Sequence, residues 1–310
     1  MSRILSFDTS NYTTSACLFD TESGIVWENR IMLPVTSGKC GLRQSEAVFL
    51  HNKNLTKLFE DCPKSKIDFV AASRCPSERT DSYMPCFVVG VSFATVLSEL
   101  LKVPLYTCSH QKAHIAAALY SGDCIKLLNN PFFAYHVSGG TTDILLCKPE
   151  ENALNVLKIG GTADISCGQL IDRAGVALGF PFPCGKYIEK YSNGNLVNNV
   201  KIAKNKFFYN FSGFENKVDE KICSGCDKNA LSDYILSIVY SFISQSVTDI
   251  RYIYKNLPVI FSGGVMSNKY ISEFVTTNIE DVYFSDPKYS VDNALGVAYM
   301  CAYEGGLLDD

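Results

Sequence analysis

Two segments of the chain, 128 residues apart, follow the same plan, and this internal repeat constrains the fold more than any other feature. Each segment is an apolar run, a polar turn and a second apolar run: ILSFDTSNYTTSACLF at residues 4–19 and FFAYHVSGGTTDILLC at residues 132–147. Aligning Ser10 with Ser138 also superposes the Thr-Thr pair of each turn. Each segment therefore predicts a strand, a tight turn and an antiparallel return strand.

The repeat predicts two similar α/β domains, residues 1–127 and 128–310, that offer their hydroxyl-lined turns to one shared nucleotide cleft. Adjacent glycines, such as Gly139 and Gly140, let a ligand approach the backbone, and the N–H and hydroxyl groups of the turn suit a phosphate. Two unrelated hairpins are the alternative interpretation, because serine, threonine and glycine are common in turns.

Composition favours a soluble, cytoplasmic protein. The chain has 310 residues, of which 47% are hydrophobic, and a formal net charge of −4, which provides no overall attraction for nucleic acid. Its 13 cysteines are scattered, as expected of thiols in a reducing compartment. The sequence shows no signal peptide and no apolar run long enough to span a membrane, so no membrane partner is expected.

Two of the four histidines lie four residues apart in a segment that favours helix. Ser109 can cap a helix that contains His110 and His114, which would then sit one turn apart on one face, as metal ligands do. A zinc protease of the His-Glu-x-x-His type is excluded, since Gln111 stands where the general base is needed. The alternative is a helix face with two hydrogen-bonded histidines. Asp292, expected near the start of the last helix, would be a third ligand if the fold brings it close.

Two further segments of the second half predict a nucleotide site. The strand at 258–262 runs into Gly263 and Gly264, and in open α/β sheets ligands bind at the carboxyl ends of strands. A helix expected over residues 164–179 places Asp172 on one face with an earlier aspartate and glycine, an arrangement that suits a ribose. A solvated helix face with a glycine packing contact is the alternative for this segment.

These motifs, in this order, resemble the actin-like (ASKHA, ribonuclease H-like) fold. More closely they resemble the tRNA threonylcarbamoyladenosine synthase family, formerly called O-sialoglycoprotein endopeptidases or glycoproteases. The matching segments are ILSFDTS near the start, HQKAH at 110–114, VSGGTT at 137–142, DRAGVALGFPFPCG at 172–185, FSGF at 211–214, SGGVMSN at 262–268 and VDNALGVAY at 291–299.

The resemblance implies a set of site residues. The metal ligands would be His110, His114 and Asp292. The nucleotide or adenylate would be bound by the turn at Val137, Ser138, Gly139, Gly140 and Thr141, together with Asp172, Gly185, Gly263, Gly264 and Asn268. The resemblance also implies that the last helix, at about 291–304, returns toward the first domain.

The chain departs from the family pattern at several acidic positions. The family carries Cys-Asp-Glu after the first Thr-Ser, where this chain has Asn11, Tyr12 and Thr13, and Lys112 replaces a glutamate between the histidines. The catalytic candidates are the residues at or beside these positions, namely Ser10, Thr13 and Lys112. The chain is therefore interpreted as a divergent paralogue within the family.

The resemblance implies a metal-dependent transferase that moves threonylcarbamoyl from threonylcarbamoyl-adenylate to an adenosine of tRNA. It implies one divalent metal, iron or zinc with magnesium as a further option, and ATP or an adenylate. Because several acids are missing, two alternatives stay open. One is an ATP- and metal-binding paralogue that acts as a partner or scaffold for a related chain or for a second copy. The other is an ATPase or kinase of the same fold.

Overall fold

The structure, a computed structural model, describes residues 1–10, 12–34 and 42–308, and these residues form two compact units. Unit 1 comprises Met1–Ile125, Pro149–Val156 and Val291–Asp310, and unit 2 comprises Lys126–Lys148 and Leu157–Ser290. The C-terminal segment thus belongs with the N-terminal part of the chain.

The described residues form 12 β-strands and nine α-helices. The strands are β1 (Arg3–Asp8), β2 (Thr13–Asp20), β3 (Gly24–Met32), β4 (Phe69–Cys75), β5 (Leu105–Ser109), β6 (Phe132–Val137), β7 (Thr142–Glu150), β8 (Ala153–Thr162), β9 (Lys204–Asn205), β10 (Phe208–Tyr209), β11 (Val259–Ser262) and β12 (Val282–Phe284). The helices are α1 (Gln44–Leu58), α2 (Pro85–Leu101), α3 (His110–Ser121), α4 (Cys167–Ala177), α5 (Gly185–Tyr191), α6 (Ser212–Cys223), α7 (Lys228–Tyr254), α8 (Lys269–Asn278) and α9 (Leu295–Glu304).

Unit 1 is built on a five-stranded sheet in the order β3-β2-β1-β4-β5. Strands β1, β2 and β3 form antiparallel pairs, whereas β4 pairs in parallel with both β1 and β5. Since β1, β4 and β5 run in the same direction, their carboxyl ends lie at one edge of the sheet. Asp8 ends β1 and Ser109 ends β5, so the topology brings residues far apart in sequence to that edge.

Both faces of β1 are buried, which explains its nearly continuous apolar sequence. On one face Leu5 and Phe7 pack in a core with Leu55 of α1 and Val89 of α2. Burying a side chain of this size contributes about 1.5–3 kcal/mol. On the other face the Ser6 hydroxyl donates a 2.7 Å hydrogen bond to the carbonyl of Ala294, directly before α9. Helices therefore cover this strand on each side and fix its carboxyl end.

Unit 2 repeats the sheet of unit 1. Its seven strands follow the order β12-β11-β6-β7-β8-β10-β9, in which β8-β7-β6-β11-β12 corresponds to β3-β2-β1-β4-β5. The strand pairing of the two hairpins is also the same. Asp8 pairs with Ser15 in the first hairpin, and His136 pairs with Asp143, each 128 residues later, in the second. The internal repeat found in the sequence is thus also a structural repeat.

Helix α7 is the central buried helix of unit 2. It begins after Asp227, whose carboxylate accepts hydrogen bonds from the N–H groups of Asn229 and Ala230. Leu231, Ile235 and other apolar residues along it are fully buried, so the helical apolar stripe is core, as predicted. No helix among the described residues has both the length and the apolar character needed to cross a membrane.

Two helices begin later than the sequence predicted. Helix α4 begins at Cys167 and not at residue 164, because Ser166 and Gln169 form a reciprocal capping box. Asp164 therefore lies outside the helix, and its carboxylate accepts hydrogen bonds from the N–H groups of Phe211 and Ser212. The last helix, α9, begins at Leu295 and not near 291.

Candidate functional site

The two histidines of α3 are placed by the way this helix begins. Strand β5 ends at Ser109, whose hydroxyl accepts a 3.2 Å hydrogen bond from the N–H of Lys112 and caps α3. Because the helix starts at His110, His110 and His114 lie one turn apart. Their Nε2 atoms are 2.9 Å apart, and both residues are buried. The helical spacing predicted from the sequence is confirmed.

Asp292 joins the histidines as the third member of a cluster within unit 1. It lies in the segment before α9, where the side chain of Asn293 accepts a hydrogen bond from the N–H of Gly296. The Asp292 Oδ1 atom is 3.3 Å from Nε2 of His110 and 3.4 Å from Nε2 of His114. Asp292 is thus close to the histidines although it precedes the last helix and does not lie in its first turn.

The separations within the cluster fit one metal ion. Zinc binds imidazole nitrogen and carboxylate oxygen at about 2.0–2.2 Å, which puts ligand atoms in a tetrahedral or octahedral site roughly 3.0–3.5 Å apart. The three atoms here, His110 Nε2, His114 Nε2 and Asp292 Oδ1, are separated by 2.9, 3.3 and 3.4 Å. Among the described residues, these three side chains form the group that could hold a metal. The donor set fits a divalent ion.

A fourth residue, Asp8, lies beside the cluster and was not predicted as a site residue from the sequence. Its side chain is completely buried at the end of β1, and its Oδ2 atom is 3.0 Å from Nδ1 of His110. The only sequence signal was a carboxylate ending the first strand. The contact of Asp8 with His110 depends on the order of β1, β4 and β5 in the sheet, and a local sequence pattern does not predict that order.

The charged groups of the cluster strongly perturb each other's pKa values. Burial disfavours protonated His110, but the carboxylates of Asp8 and Asp292 outweigh it and raise the pKa of His110 to about 10. Burial and the nearby His110 lower the pKa of His114. Burial alone would raise the pKa of Asp8 and Asp292, yet hydrogen bonds and attraction to the histidines hold both pKa values below the usual range. The two carboxylates therefore favour the protonated form of His110.

One of the three catalytic candidates, Ser10, contacts Asp8 beside this cluster, and a second, Thr13, contacts Ser10. Ser10 is fully buried, and both its N–H and its hydroxyl donate to the carboxylate of Asp8 at 3.0 Å. Thr13 begins β2 and its N–H donates to the carbonyl of Ser10. Tyr12, at one of the positions where an acid is missing, is 39% exposed, whereas Asn11 lies outside the described residues.

The third candidate, Lys112, is directed away from the histidines. It follows His110 by two residues, which places it about 200° around the helix. Its ammonium donates a 2.9 Å hydrogen bond to Glu304 of α9, and both side chains are 14% exposed. Glu304 also accepts hydrogen bonds from the hydroxyl of Tyr106 and from the N–H of Leu154. The geometry gives Lys112 a structural partner on the far side of α3.

We expect Glu304→Gln to destabilise unit 1 by about 2–4 kcal/mol at neutral pH, because it leaves the Lys112 ammonium buried without a counter-charge. Burial alone would raise the pKa of Glu304, but the hydrogen bonds from Tyr106 and Lys112 outweigh it and lower that pKa from 4.5. This stabilisation is therefore present above about pH 4.5 and is lost as the pH falls through the lower folded-state value. Urea unfolding at several pH values should show the difference from wild type shrinking below pH 4.5. If the variant and wild type differed in unfolding free energy by the same amount at all pH values, this prediction would be wrong. The control is Glu99→Gln, at an exposed position of α2.

In unit 2, the turn after β6 presents an open backbone. The N–H of Ser138 donates to the carbonyl of Thr141, and the N–H of Thr141 donates back to the Ser138 hydroxyl. No atom lies within 4 Å of the position that a Cβ would take on Gly139 or Gly140. Both glycines are exposed, so a ligand can approach the backbone on this side, as the sequence suggested.

The opposite side of the same turn is closely packed against α4. A Cβ on Gly168 would lie 2.4 Å from both the Cα of Gly139 and the carbonyl oxygen of Ser138, so only glycine fits there. The Ser166 hydroxyl donates to the carbonyl of Gly139 at 2.8 Å. The N-terminus of α4 therefore holds the turn in place from behind.

The second glycine turn lies beside the first because β11 runs parallel to β6. The N–H of Val265 donates a 3.1 Å hydrogen bond to the carbonyl of Val137. Gly263 has a φ of +95°, and a Cβ there would lie 2.3 Å from the Val137 carbonyl oxygen. Gly264 is exposed, with nothing within 4 Å of a Cβ. Both turns therefore stand at one edge of the unit 2 sheet.

The remaining predicted residues of unit 2 are Asp172, Gly185 and Asn268, and the two with side chains also make local hydrogen bonds. Oδ1 of Asp172 accepts a 2.7 Å hydrogen bond from the N–H of Cys184, and burial raises the pKa of Asp172. Gly185 is exposed at the start of α5. Asn268 caps α8, with Oδ1 accepting from the N–H groups of Tyr270 and Ile271, so its amide is the group that can donate elsewhere.

Comparison with known protein families shows to which family the chain belongs. The family model of tRNA N6-adenosine threonylcarbamoyltransferase (TsaD) matches residues 51–299, which is most of the chain. The chain belongs to the TsaD family. The resemblance inferred from the sequence motifs is thus confirmed.

Curated relatives of the TsaD family match along nearly the whole length. The tRNA N6-adenosine threonylcarbamoyltransferase of Sulfurihydrogenibium sp. is 28% identical over 314 residues, covering 96% of this chain and 88% of the relative. The enzyme of the same name from Mycoplasma pneumoniae is 28% identical over 307 residues, covering 90% of this chain and 92% of the relative. The similarity is moderate, which agrees with a divergent member.

Solved structures confirm the actin-like fold. Component A of (R)-2-hydroxyglutaryl-CoA dehydratase from Acidaminococcus fermentans has a TM-score of 0.58 and 16% identity, covering 99% of this chain and all of that chain. Full-length HypF has a TM-score of 0.61 and 14% identity, covering 99% of this chain and 55% of HypF. At these identities the likeness concerns the fold alone. It agrees with the two mixed sheets described above.

Proposed function

We propose that this protein transfers a threonylcarbamoyl group from threonylcarbamoyl-adenylate to the exocyclic amine of an adenosine in tRNA. In this reaction the amine nitrogen forms a bond with the carbamoyl carbon, and the bond from that carbon to the phosphate oxygen breaks. AMP leaves, and the amine loses a proton to solvent. The observation that carries the proposal is the cluster of His110 Nε2, His114 Nε2 and Asp292 Oδ1 in a member of the TsaD family.

The ligand chemistry of the cluster favours iron or zinc over magnesium. Two imidazole nitrogens and one carboxylate suit iron and zinc, whereas magnesium prefers oxygen ligands and water. When bound, such an ion would supply a Lewis acid that stabilises negative charge on a carbonyl or phosphoryl oxygen. His110, His114 and Asp292 would hold it, and Asp292 would also offset part of its charge.

The turns of unit 2 are proposed to bind the adenylate. The open backbone at Gly139 and Gly140 and the hydroxyls of Ser138 and Thr141 suit the phosphate. Oδ2 of Asp172 is assigned to a ribose hydroxyl, since Oδ1 accepts the N–H of Cys184. Gly185, Gly263, Gly264 and the amide of Asn268 are proposed to line the same site.

We also propose a protein partner, because this chain lacks acidic residues that the family carries in its first turn. Tyr12 and Thr13 occupy positions where the family carries acids, so this chain offers no carboxylate there to accept a proton or orient the amine. A paralogue of the family or a second copy of the chain could supply this group. The net charge of −4 also means that tRNA would bind to a local basic patch or to such a partner.

A transfer assay tests the proposal. Purified protein of known metal content is incubated with threonylcarbamoyl-adenylate and unmodified tRNA, and the digested nucleosides are analysed by mass spectrometry. Threonylcarbamoyladenosine that depends on the intact cluster would support the transferase. ATP binding without any product, together with a stable heterodimer on gel filtration, would instead support a partner or scaffold. Release of inorganic phosphate from ATP without modified tRNA would support an ATPase or kinase.

A further inference from the structure

The buried carboxylate of Asp8 makes four hydrogen bonds in unit 1. Its Oδ1 accepts from the N–H of Ser10 at 3.0 Å and from the hydroxyl of Ser73 at 2.6 Å. Its Oδ2 accepts from the hydroxyl of Ser10 and pairs with Nδ1 of His110, both at 3.0 Å. These partners come from the turn after β1, from β4 and from α3. Three separate elements therefore meet at one side chain.

We propose that Asp8 is a positioning residue that holds the His110 ring with its Nε2 atom directed at the metal. The inference rests on the metal site included in the proposed function and adds a role for three residues outside the ligand set, Asp8, Ser10 and Ser73. A carboxylate that accepts Nδ1–H fixes the tautomer of an imidazole and makes its other nitrogen a better ligand. His110 Nε2 is the atom that faces His114 and Asp292.

The Asp8 carboxylate differs from the metal ligands because its oxygens are already occupied by hydrogen bonds. A carboxylate has about four lone-pair positions, and four donors reach the two oxygens of Asp8. The Asp8 oxygens therefore have no free lone pair for a metal ion. The carboxylate of Asp292 lies on the other side of the His110 ring, beside Nε2. Asp8 thus acts on the ion only through His110.

The same contacts redefine Ser10, which the sequence analysis gave a catalytic role. Its hydroxyl is buried and donates to Asp8, so we assign Ser10 the role of holding the Asp8 carboxylate. Ser73, at the carboxyl end of β4, provides the shortest of the four hydrogen bonds. Together the two serines keep the Asp8 carboxylate from rotating away from His110.

The test compares metal affinity in Asp8→Asn, Ser73→Ala and wild type. Each metal-free protein is titrated with Zn²⁺ in competition with a chromophoric chelator. We expect the Zn²⁺ affinity of Asp8→Asn to fall about 10- to 100-fold, since this is the usual effect of losing such a partner. Ser73→Ala should lose affinity less, by roughly threefold to tenfold, because it removes one of the hydrogen bonds on Asp8. Asp81→Asn, an exposed carboxylate also in unit 1, is the matched control and should bind as wild type does.

A second readout separates positioning from general loss of structure. In the Co²⁺-substituted proteins, the visible absorption bands should change in Asp8→Asn because the orientation of one ligand changes, whereas circular dichroism of the metal-free proteins should be the same. If Asp8→Asn does not fold, Ser73→Ala decides by the same two measurements. Affinities within twofold of wild type and unchanged Co²⁺ spectra would overturn the role of Asp8. Failure of wild type itself to bind Zn²⁺ or Co²⁺ would instead overturn the metal site, and the inference with it.

Discussion

His110→Ala will remove metal from the purified protein and reduce transfer by at least about 100-fold. The substitution leaves two ligands, His114 and Asp292, and it deprives the buried Asp8 carboxylate of its partner on α3. Metal content is measured by inductively coupled plasma mass spectrometry and transfer by nucleoside analysis. We expect about one ion per chain in wild type and almost none in the variant.

The matched control for this prediction is Gln111→Ala. Gln111 is the next residue of α3 and is not a member of the cluster. It should retain both metal and transfer. Metal bound at one ion per chain in His110→Ala would show that the ion lies elsewhere, and full transfer by a metal-free His110→Ala protein would contradict the proposed reaction.

Gly263→Ala will destabilise unit 2 by about 3 kcal/mol, whereas Gly264→Ala will change its stability by less than about 0.5 kcal/mol. Gly263 has a left-handed backbone, and a methyl group there would overlap the carbonyl of Val137. That carbonyl belongs to the strand that leads into the proposed phosphate-binding turn, so adenylate affinity should fall as well. Gly264 has open space around the same position and is the control.

Urea unfolding followed by circular dichroism measures the change in stability. Calorimetric titration with ATP measures the change in nucleotide affinity. Equal stabilities of the two variants would contradict the close approach of the two turns. Normal ATP affinity in a destabilised Gly263→Ala protein would show that this turn contributes to folding but not to nucleotide binding.

Local sequence patterns were sufficient for the parts of the fold that depend on neighbouring residues. The repeated hairpins, the cap at Ser109 and the spacing of His110 and His114 follow from turn chemistry and helix periodicity. The agreement of the two hairpin registers at one offset shows that the repeat in the sequence was a reliable indicator of duplicated topology.

Local sequence patterns do not predict the features that competing capping interactions or contacts between distant residues determine. Helix α4 starts at the Ser166 capping box, so Asp164 lies outside the helix and does not share a helical face with Asp172. Lys112 was expected in the site by its position between the histidines, but a helix directs it to Glu304. Asp8 meets His110 across 102 residues of chain, through a strand order that no local pattern reveals.

Anomalous X-ray diffraction from crystals of the purified protein shows whether His110, His114 and Asp292 hold one metal ion. Data are collected on both sides of the iron and zinc K absorption edges. We expect a single anomalous peak at about 2.0–2.2 Å from His110 Nε2, His114 Nε2 and an oxygen of Asp292. A peak on other side chains, or no peak at these three atoms in crystals of protein that is active in the transfer assay, would contradict it.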